Sequence, residues 1–326
     1  MGVKNSGFLQ VAGSPGAKIL AFGHYQSDNV VTNDDLAARG VDTNDEWIRS
    51  RVGIESRRIS QDDESMVDLA VQAGGKAIAN SGLVATDIDL VIVATCTAES
   101  TIPNASATVA HRLGIKAPGA FDVNAACAGF AYALSTASDA IRSGSARNVL
   151  VIGSEKFSPW IDWTDRTTCI IFADGAGAAV VTGSEHQAIG PVVWGSDGEN
   201  ADKIMVQDRN SFLHQDGQAV FRWATTALHP VALEACRRAG VEPSELAAFV
   251  PHQANLRIIN GIARKLNAPN AVVAEDIVNA GNTSAASIPM ALSRMIERGD
   301  VPSGGTALII GFGAGLTYAA QVIQIP

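Results

Sequence analysis

Leu150-Val151-Ile152-Gly153 returns further along the chain as Leu308-Ile309-Ile310-Gly311, and this repetition decides the fold. Gly82 precedes an acid-flanked loop and the apolar run Leu90-Val91-Ile92-Val93, as Gly240 precedes Glu242-Pro243-Ser244-Glu245 and Ala248-Phe249-Val250. Ala133-Leu134 sits within a helical pattern, as Ala291-Leu292 does. The differences 240 − 82, 292 − 134 and 311 − 153 are all 158. Three separated matches at one offset mark an internal duplication. Beyond them Gly175-Ala176-Gly177 matches Gly313-Ala314-Gly315 at an offset of 138, which predicts about 20 extra residues in the first copy, an insertion near 154–173.

Each copy reads helix, strand, helix, strand. Helical spacing of apolar positions predicts helices over 66–80 and 223–239, and short apolar runs predict buried strands at 90–94 and 247–251. The helix after Cys127 places Phe130, Leu134, Ala137 and Ile141 on one face, and its partner places Ile288, Leu292 and Met295 there. Such strands alternating with helices imply an α/β fold with mixed, mostly parallel sheets covered on both faces. The expected organisation is an N-terminal extension (1–16) and two similar layered halves, 17–188 and 189–326.

Of 326 residues, 47% are hydrophobic and 17% charged, as expected of a well-buried globule. A net charge of −9 argues against a nucleic-acid partner, while leaving room for a local basic patch facing an acidic partner. The first residues lack the apolar core of a signal peptide. Met1-Gly2-Val3-Lys4-Asn5-Ser6 fits the N-myristoylation pattern, one short enough to arise by chance. The apolar run from Gly304 to Ala320 is too short and glycine-rich for a membrane span and reads as a buried strand and turn. Cys96, Cys127, Cys169 and Cys236 are widely spaced, suiting a reducing cytoplasm rather than a disulfide framework or zinc site.

Cys127 lies in Asp122-Val123-Asn124-Ala125-Ala126-Cys127-Ala128-Gly129-Phe130, between a short strand and a helix. A helix start favours thiolate, and small neighbours leave room for a substrate. Read alone, the segment leaves Cys127 either a nucleophile or an inert buried thiol; the other three cysteines read as inert. His252, in Val250-Pro251-His252-Gln253-Ala254-Asn255, follows a strand end, where α/β proteins build sites. Asn282 precedes the second copy's inner helix in Asn279-Ala280-Gly281-Asn282-Thr283-Ser284. Subtracting 158 maps Ala285 onto Cys127 and Asn282 onto Asn124, so the two loops are equivalents. Halves packed about a pseudo-twofold axis would bring both to one centre. The remaining histidines read as surface or packing residues, and no cluster suggests a metal. Gly311-Phe312-Gly313-Ala314-Gly315 misses the dinucleotide fingerprint and reads as a tight turn presenting backbone amides.

Cys127 in Asp-Val-x-Ala-Ala-Cys-Ala-Gly-Phe, His252 in Pro-His-Gln-Ala-Asn and Asn282 in Gly-Asn-Thr-Ser-Ala-Ala-Ser-Ile-Pro resemble the β-ketoacyl-[acyl-carrier-protein] synthase III family. The resemblance runs from about Ala17 onward. It implies a thiolase-like fold, a homodimer and a Cys-His-Asn triad. It also implies initiation of fatty acid synthesis by decarboxylative condensation of a short acyl-CoA primer with malonyl-acyl-carrier protein. Cys127 would carry the acyl group, and the backbone N–H groups of Cys127 and Ala314 would hold the oxyanion. His252 and Asn282 would donate to the enolate oxygen, each worth on the order of 3 kcal/mol of barrier. No cofactor is implied, because acyl-CoA is a substrate.

The resemblance further assigns Trp47, Arg51, Arg166, Gly217, Phe221 and Asn255 to CoA, and Ile102 and Phe312 to the acyl pocket. Arg257, Arg264 and Lys265 share one helix face and suit docking of the acidic carrier protein. Two departures stand out. Ile102 replaces an aromatic residue that limits primer length in some members, which suggests that short branched primers enter. Ala314 replaces a frequent glycine while keeping the backbone N–H. Rival readings are a polyketide starter enzyme, an acyltransferase that stops after loading Cys127, and a non-catalytic binding subunit.

Overall fold

Each copy builds a five-stranded sheet in the computed structural model, which describes residues 13–326. The motif at Met1 to Ser6 and positions 1–12 of the extension lie outside the described residues. In the first half β1 (Gly16–Tyr25), β2 (Leu90–Ala94), β3 (Gly119–Val123), β4 (Asn148–Glu155) and β5 (Gly175–Ser184) take the order β1-β5-β4-β2-β3. In the second, β6 (Val193–Ser196), β7 (Ala248–Pro251), β8 (Val272–Val273), β9 (Thr306–Gly313) and β10 (Thr317–Gln324) take the equivalent order β6-β10-β9-β7-β8. β2 pairs parallel with β3 and β4, as β7 does with β8 and β9. The remaining pairings are antiparallel, so in each sheet only β5 or β10 runs against the other strands.

Helices α1 (Asp45–Val52), α2 (Met66–Ser81), α3 (Ala105–Arg112), α4 (Gly129–Arg142), α5 (Gly217–Ala239), α6 (Leu256–Leu266) and α7 (Ser287–Arg298) complete the layers. Strand alternation sorts the side chains. Ile92, Val149 and Val151 face inward with Val250, Ala307 and Ile309 of the other sheet, sandwiching Phe130, Leu134, Ala137 and Ile141 of α4 and Ile288, Leu292 and Met295 of α7. Val91, Val93, Leu150 and Ile152 face outward onto α2 and α3. Phe249, Leu308 and Ile310 face outward onto α5 and α6. The order is helix, sheet, paired central helices, sheet, helix.

The apolar spacing of α2 fits its cap. Ser65 and Asp68 form a reciprocal capping box, and Gly82 ends the helix at φ 76°. α5 begins six residues before the expected 223, because the Asp216 carboxylate accepts the Ala219 N–H at 3.0 Å and caps a start that Gly217 disguises.

The duplication is geometric as well as sequential. β4 and β9 both begin and end 158 residues apart, as 306 − 148 and 313 − 155 show. Gly175 pairs with Glu155 and Thr317 with Gly313, so beyond this point the offset is 317 − 175 = 142 and the insertion adds 158 − 142 = 16 residues. The expected 138 came from equating two small-residue triplets whose glycines meet different crowding. A Cβ at Gly177 would meet the backbone N of Met290 at 2.6 Å, whereas one at Gly313 would meet Cys127. Gly311 and Gly313 are strand residues, and the turn is confined to Ala314–Leu316.

Two close approaches lock the halves together. A Cβ at Gly153 would lie 2.3 Å from the Ala285 carbonyl oxygen, and one at Gly311 would lie 2.8 Å from Ala128 Cα. Each half's central strand thus receives the other half's turn against a glycine, as a pseudo-twofold axis requires.

Candidate active site

Cys127 sits on a one-turn 3-10 segment, Ala126–Ala128, that feeds directly into α4. Its counterpart is Ser284–Ala286, which feeds α7. Both turns begin on a non-glycine residue in the left-handed region, Ala126 at φ 45° and Ser284 at φ 49°. An Asx cap steadies each: Asn124 Oδ1 accepts the Ala126 N–H at 3.2 Å, and Asn282 Oδ1 accepts the Ser284 N–H at 2.8 Å. Strained backbone of this kind costs about 1–2 kcal/mol per residue and is held by the surrounding fold.

Both turns face one cavity of about 970 Å³. Cys127, His252, Asn282 and Phe312 line its buried end, and Trp47, Arg51, Arg166, Arg222 and Arg257 line its exposed end. Three other features of the sequence reading, Gly217, Phe221 and Asn255, also line it.

The Asn282 cap determines which way its amide points. With Oδ1 engaged, Nδ2 is the group left to donate into the cavity. The insertion holds the loop: Asn282 N–H donates to the Ile171 carbonyl at 3.0 Å, and Ala173 N–H donates to the Asn282 carbonyl at 2.9 Å.

His252 is 1% exposed. Its Nδ1 lies 2.7 Å from Ser287 Oγ, which also accepts the Gln253 N–H at 3.2 Å. The hydroxyl proton has one acceptor among the described contacts, Nδ1, so the neutral ring carries its own proton on Nε2. Phe312 packs edge-on at 5.3 Å between ring centroids. Burial pushes the His252 pKa down to about 3, so the ring is a donor and a poor base at neutral pH. The shift is also a stability statement. Below 6.5 an unfolded His252 takes up a proton that the folded one refuses until about 3, so folding stability falls as pH drops through that window. Between pH 6 and 4, wild type should lose about 1.4 kcal/mol per pH unit more than His252→Gln in denaturant titrations. His24, held down to about 4 chiefly by burial, is common to both proteins and cancels. Equal slopes would show that His252 is not buried as a neutral ring.

Cys127 departs from the expectation of a ready thiolate. Burial pushes its pKa up to about 12, against the lowering effect of the Ser284 hydroxyl and the backbone N–H groups of Cys127 and Ala314. The helix start supplies donors, but burial at the inner end of the cavity takes the thiol away from the water that would stabilise the charge.

At the exposed end Arg166 lies 5.0 Å from the Trp47 ring centroid and Arg51 lies 5.7 Å from it. Arg166 also bonds Asp42 at 2.8 Å, so a ring entering between Arg166 and Trp47 must displace the guanidinium. Arg257 covers Phe221 at 5.1 Å. Asn255 caps α6 through the Arg257 N–H at 2.8 Å and donates to the Arg51 carbonyl at 3.2 Å, so its side chain joins α6 to α1. Arg264 and Lys265 are exposed beyond the cavity, Lys265 turned to the Thr225 carbonyl of α5. Ile102 is 85% exposed and lies outside its own chain's cavity.

Family profiles match both halves: "3-Oxoacyl-[acyl-carrier-protein (ACP)] synthase III" over residues 121–198 and its C-terminal counterpart over 236–325. The chain is 54% identical to β-ketoacyl-[acyl-carrier-protein] synthase III 4 of Streptomyces coelicolor, over 95% of this chain and 99% of that one. The chain belongs to the 3-oxoacyl-[acyl-carrier-protein] synthase III family. It is 48% identical to the mycobacterial β-ketoacyl-[acyl-carrier-protein] synthase III of Mycobacterium avium, over 94% of this chain and 95% of that one. Two solved structures share the thiolase-like fold. A priming β-ketosynthase of a polyketide pathway superposes with a TM-score of 0.94, at 43% identity and 98% coverage of both chains. The synthase III of Aquifex aeolicus superposes at 0.91, with 42% identity, 95% of this chain and 100% of that one.

Four neighbours of the synthase III site escaped the sequence reading. Ser284 was legible in principle, since 284 − 158 is 126, beside the nucleophile candidate. Ser287, Arg222 and Glu155 carried no such signal, because only the packing of separate elements brings Arg222 to the cavity, Ser287 to His252 and Glu155 to Cys96. Cys96, read as inert, lines the cavity.

Proposed function

We propose that this synthase III carries a short acyl group on Cys127 and condenses it with malonyl-acyl-carrier protein, releasing carbon dioxide and initiating fatty acid synthesis. The observation that carries the reading is the buried end of the cavity, which the Cys127 thiol shares with two neutral hydrogen-bond donors, His252 Nε2–H and Asn282 Nδ2–H. Cys127 Sγ attacks the acyl-CoA carbonyl, and the N–H groups of Cys127 and Ala314 receive the oxyanion. CoA leaves. Decarboxylation of the malonyl group then places charge on its thioester oxygen, where His252 and Asn282 donate. The resulting carbanion attacks the acyl-Cys127 carbonyl, and the β-ketoacyl carrier product departs.

Trp47, Arg51, Arg166 and Arg222 fit a phosphorylated nucleotide such as CoA, and the exposed Arg257, Arg264 and Lys265 fit an acidic carrier protein. The reading needs no cofactor, since acyl-CoA is consumed. It includes a paired chain, supported by the edge position of β3, whose Phe121 is exposed, and by the exposed Ile102. Four free cysteines suit the cytoplasm. A polyketide priming role is the second reading, favoured by the likeness to the priming β-ketosynthase.

Intact mass after mixing with acetyl-, isobutyryl- and longer acyl-CoA tests the acyl step and the primer together. The expected result is a single adduct on Cys127, with isobutyryl loading at a rate comparable to acetyl. Strict preference for acetyl would remove the branched-primer idea, and no adduct from any primer would overturn the function.

A further inference from the structure

A fully buried arginine lies behind the Asn282 loop, and among the described residues no carboxylate pairs with it. Arg57, on the short strand Ser56–Arg58, is 0% exposed. Its guanidinium donates to uncharged oxygens. Nη1 reaches Asn33 Oδ1 at 2.9 Å and the Val31 carbonyl at 3.3 Å, and Nη2 reaches the Ile170 carbonyl at 2.8 Å. Nε has no partner among the described residues. Burial lowers the pKa to about 10, so the group is a cation at neutral pH. An unpaired buried charge is costly, and an apolar side chain of similar volume would spare the fold that cost.

The partners of Arg57 lie on the segment that carries the Asn282 loop. The Ile171 carbonyl accepts the Asn282 N–H at 3.0 Å, and the Asn282 carbonyl accepts the Ala173 N–H at 2.9 Å. Next to them, the Ile170 carbonyl has Arg57 as its one donor among the described contacts. Arg57 also backs the loop directly. A Cβ at Gly281, which sits at φ 74°, would meet Ala173 Cβ at 2.8 Å and Arg57 Cβ at 2.9 Å. On either side of Arg57 the chain bonds both segments: the Glu55 N–H donates to the Val278 carbonyl at 2.8 Å, and the Asp174 N–H donates to the Arg58 carbonyl at 3.0 Å. Arg57 therefore stands between 170–174 and 278–282, and the fit of these two segments sets where Asn282 lies. Its other partner leads to α1, since Asn33 Nδ2 donates to Asp45 Oδ1 at 2.8 Å.

We propose that Arg57 is a positioning residue for the condensation step: by clamping the Ile170 carbonyl and backing Gly281, it holds the Asn282 amide where the enolate oxygen forms. The inference rests on the reading of Asn282 as an enolate donor. A charged donor binds a carbonyl more strongly than a neutral one, which suits a clamp on a short irregular segment. Loading of Cys127 does not use Asn282, so Arg57 serves one half of the reaction and not the other.

The test measures the two halves separately. Rapid quench and mass spectrometry give the rate of acetyl adduct formation at saturating acetyl-CoA, and carbon dioxide release gives condensation of acetylated enzyme with malonyl-carrier protein. Saturation keeps any loosening of α1 through Asn33 out of the loading rate. Arg57→Met, similar in length but without donors, should load within about threefold of wild type and condense about 100-fold more slowly. Arg57→Lys keeps the charge and a single point donor, and should recover about tenfold of that loss. In an Asn282→Ala background Arg57→Met should add less than about threefold, because the group it positions is gone. Wild-type condensation by Arg57→Met, equal falls in loading and condensation, or the full deficit persisting in the Asn282→Ala background would each overturn the proposal. If Arg57→Met does not fold, Arg57→Lys decides by the same criteria with a deficit of about tenfold. Asn282→Ala condensing at the wild-type rate would instead defeat the parent reading.

Discussion

Replacing His252 with alanine should leave acyl-Cys127 formation within a few-fold of wild type and lower condensation with malonyl-carrier protein by about 100- to 1,000-fold. The asymmetry follows from the tautomer. Ser287 occupies Nδ1, and burial keeps the ring neutral, with its pKa down at about 3. Such a ring can donate to the enolate oxygen but cannot deprotonate a thiol whose own pKa is pushed up to about 12. The N–H groups that face the sulfur belong to Cys127 and Ala314, so the acylation step keeps its donors in the variant. Intact mass for the adduct and carbon dioxide release for condensation separate the two steps. A parallel fall in both would make His252 the base for Cys127, in conflict with the tautomer assigned here.

Gly313→Ala should abolish loading. An added Cβ would meet Cys127 Cβ at 2.7 Å and Sγ at 2.9 Å. Neither side can retreat: β9 is hydrogen-bonded to β7 on one side and β10 on the other, and the Cys127 turn is pinned against Gly311. Overpacking of this kind costs typically about 1–3 kcal/mol, and here the displaced atom is the proposed nucleophile. Adduct formation should drop by more than about 100-fold, the factor that about 3 kcal/mol of lost transition-state stabilisation corresponds to. Gly198→Ala is the control, since a Cβ there meets nothing within 4 Å. It should load and melt like wild type. Loading by Gly313→Ala at the wild-type rate would mean that the turn moves freely, contrary to the packing described.

The duplication was legible because buried strands and helix starts tolerate few substitutions in pattern. Leu150 to Gly153 and Leu308 to Gly311 must each bury apolar faces on both sides and admit the opposite turn at the glycine. The equivalence of the Cys127 and Asn282 loops was legible for the same reason, and the two Asx-capped turns at φ 45° and 49° are its structural form. The triplet match at 138 misled because small residues recur wherever backbones crowd, whatever they crowd against. Here the structural offset is 142.

What the sequence determined by itself is therefore the two-halved α/β frame and the choice of Cys127, His252 and Asn282 as candidates that meet in one cavity, all carried by local patterns. Only the tertiary structure decided their chemical state. Hydrogen-bond direction assigns the His252 proton to Nε2, an insertion from the first half holds the Asn282 loop, and burial keeps Cys127 a thiol. It also brought Glu155 and Ser284, 129 residues apart, to 3.1 Å. Protonation depends on burial and on partners that arrive from distant segments, and neither is written in any local stretch of chain.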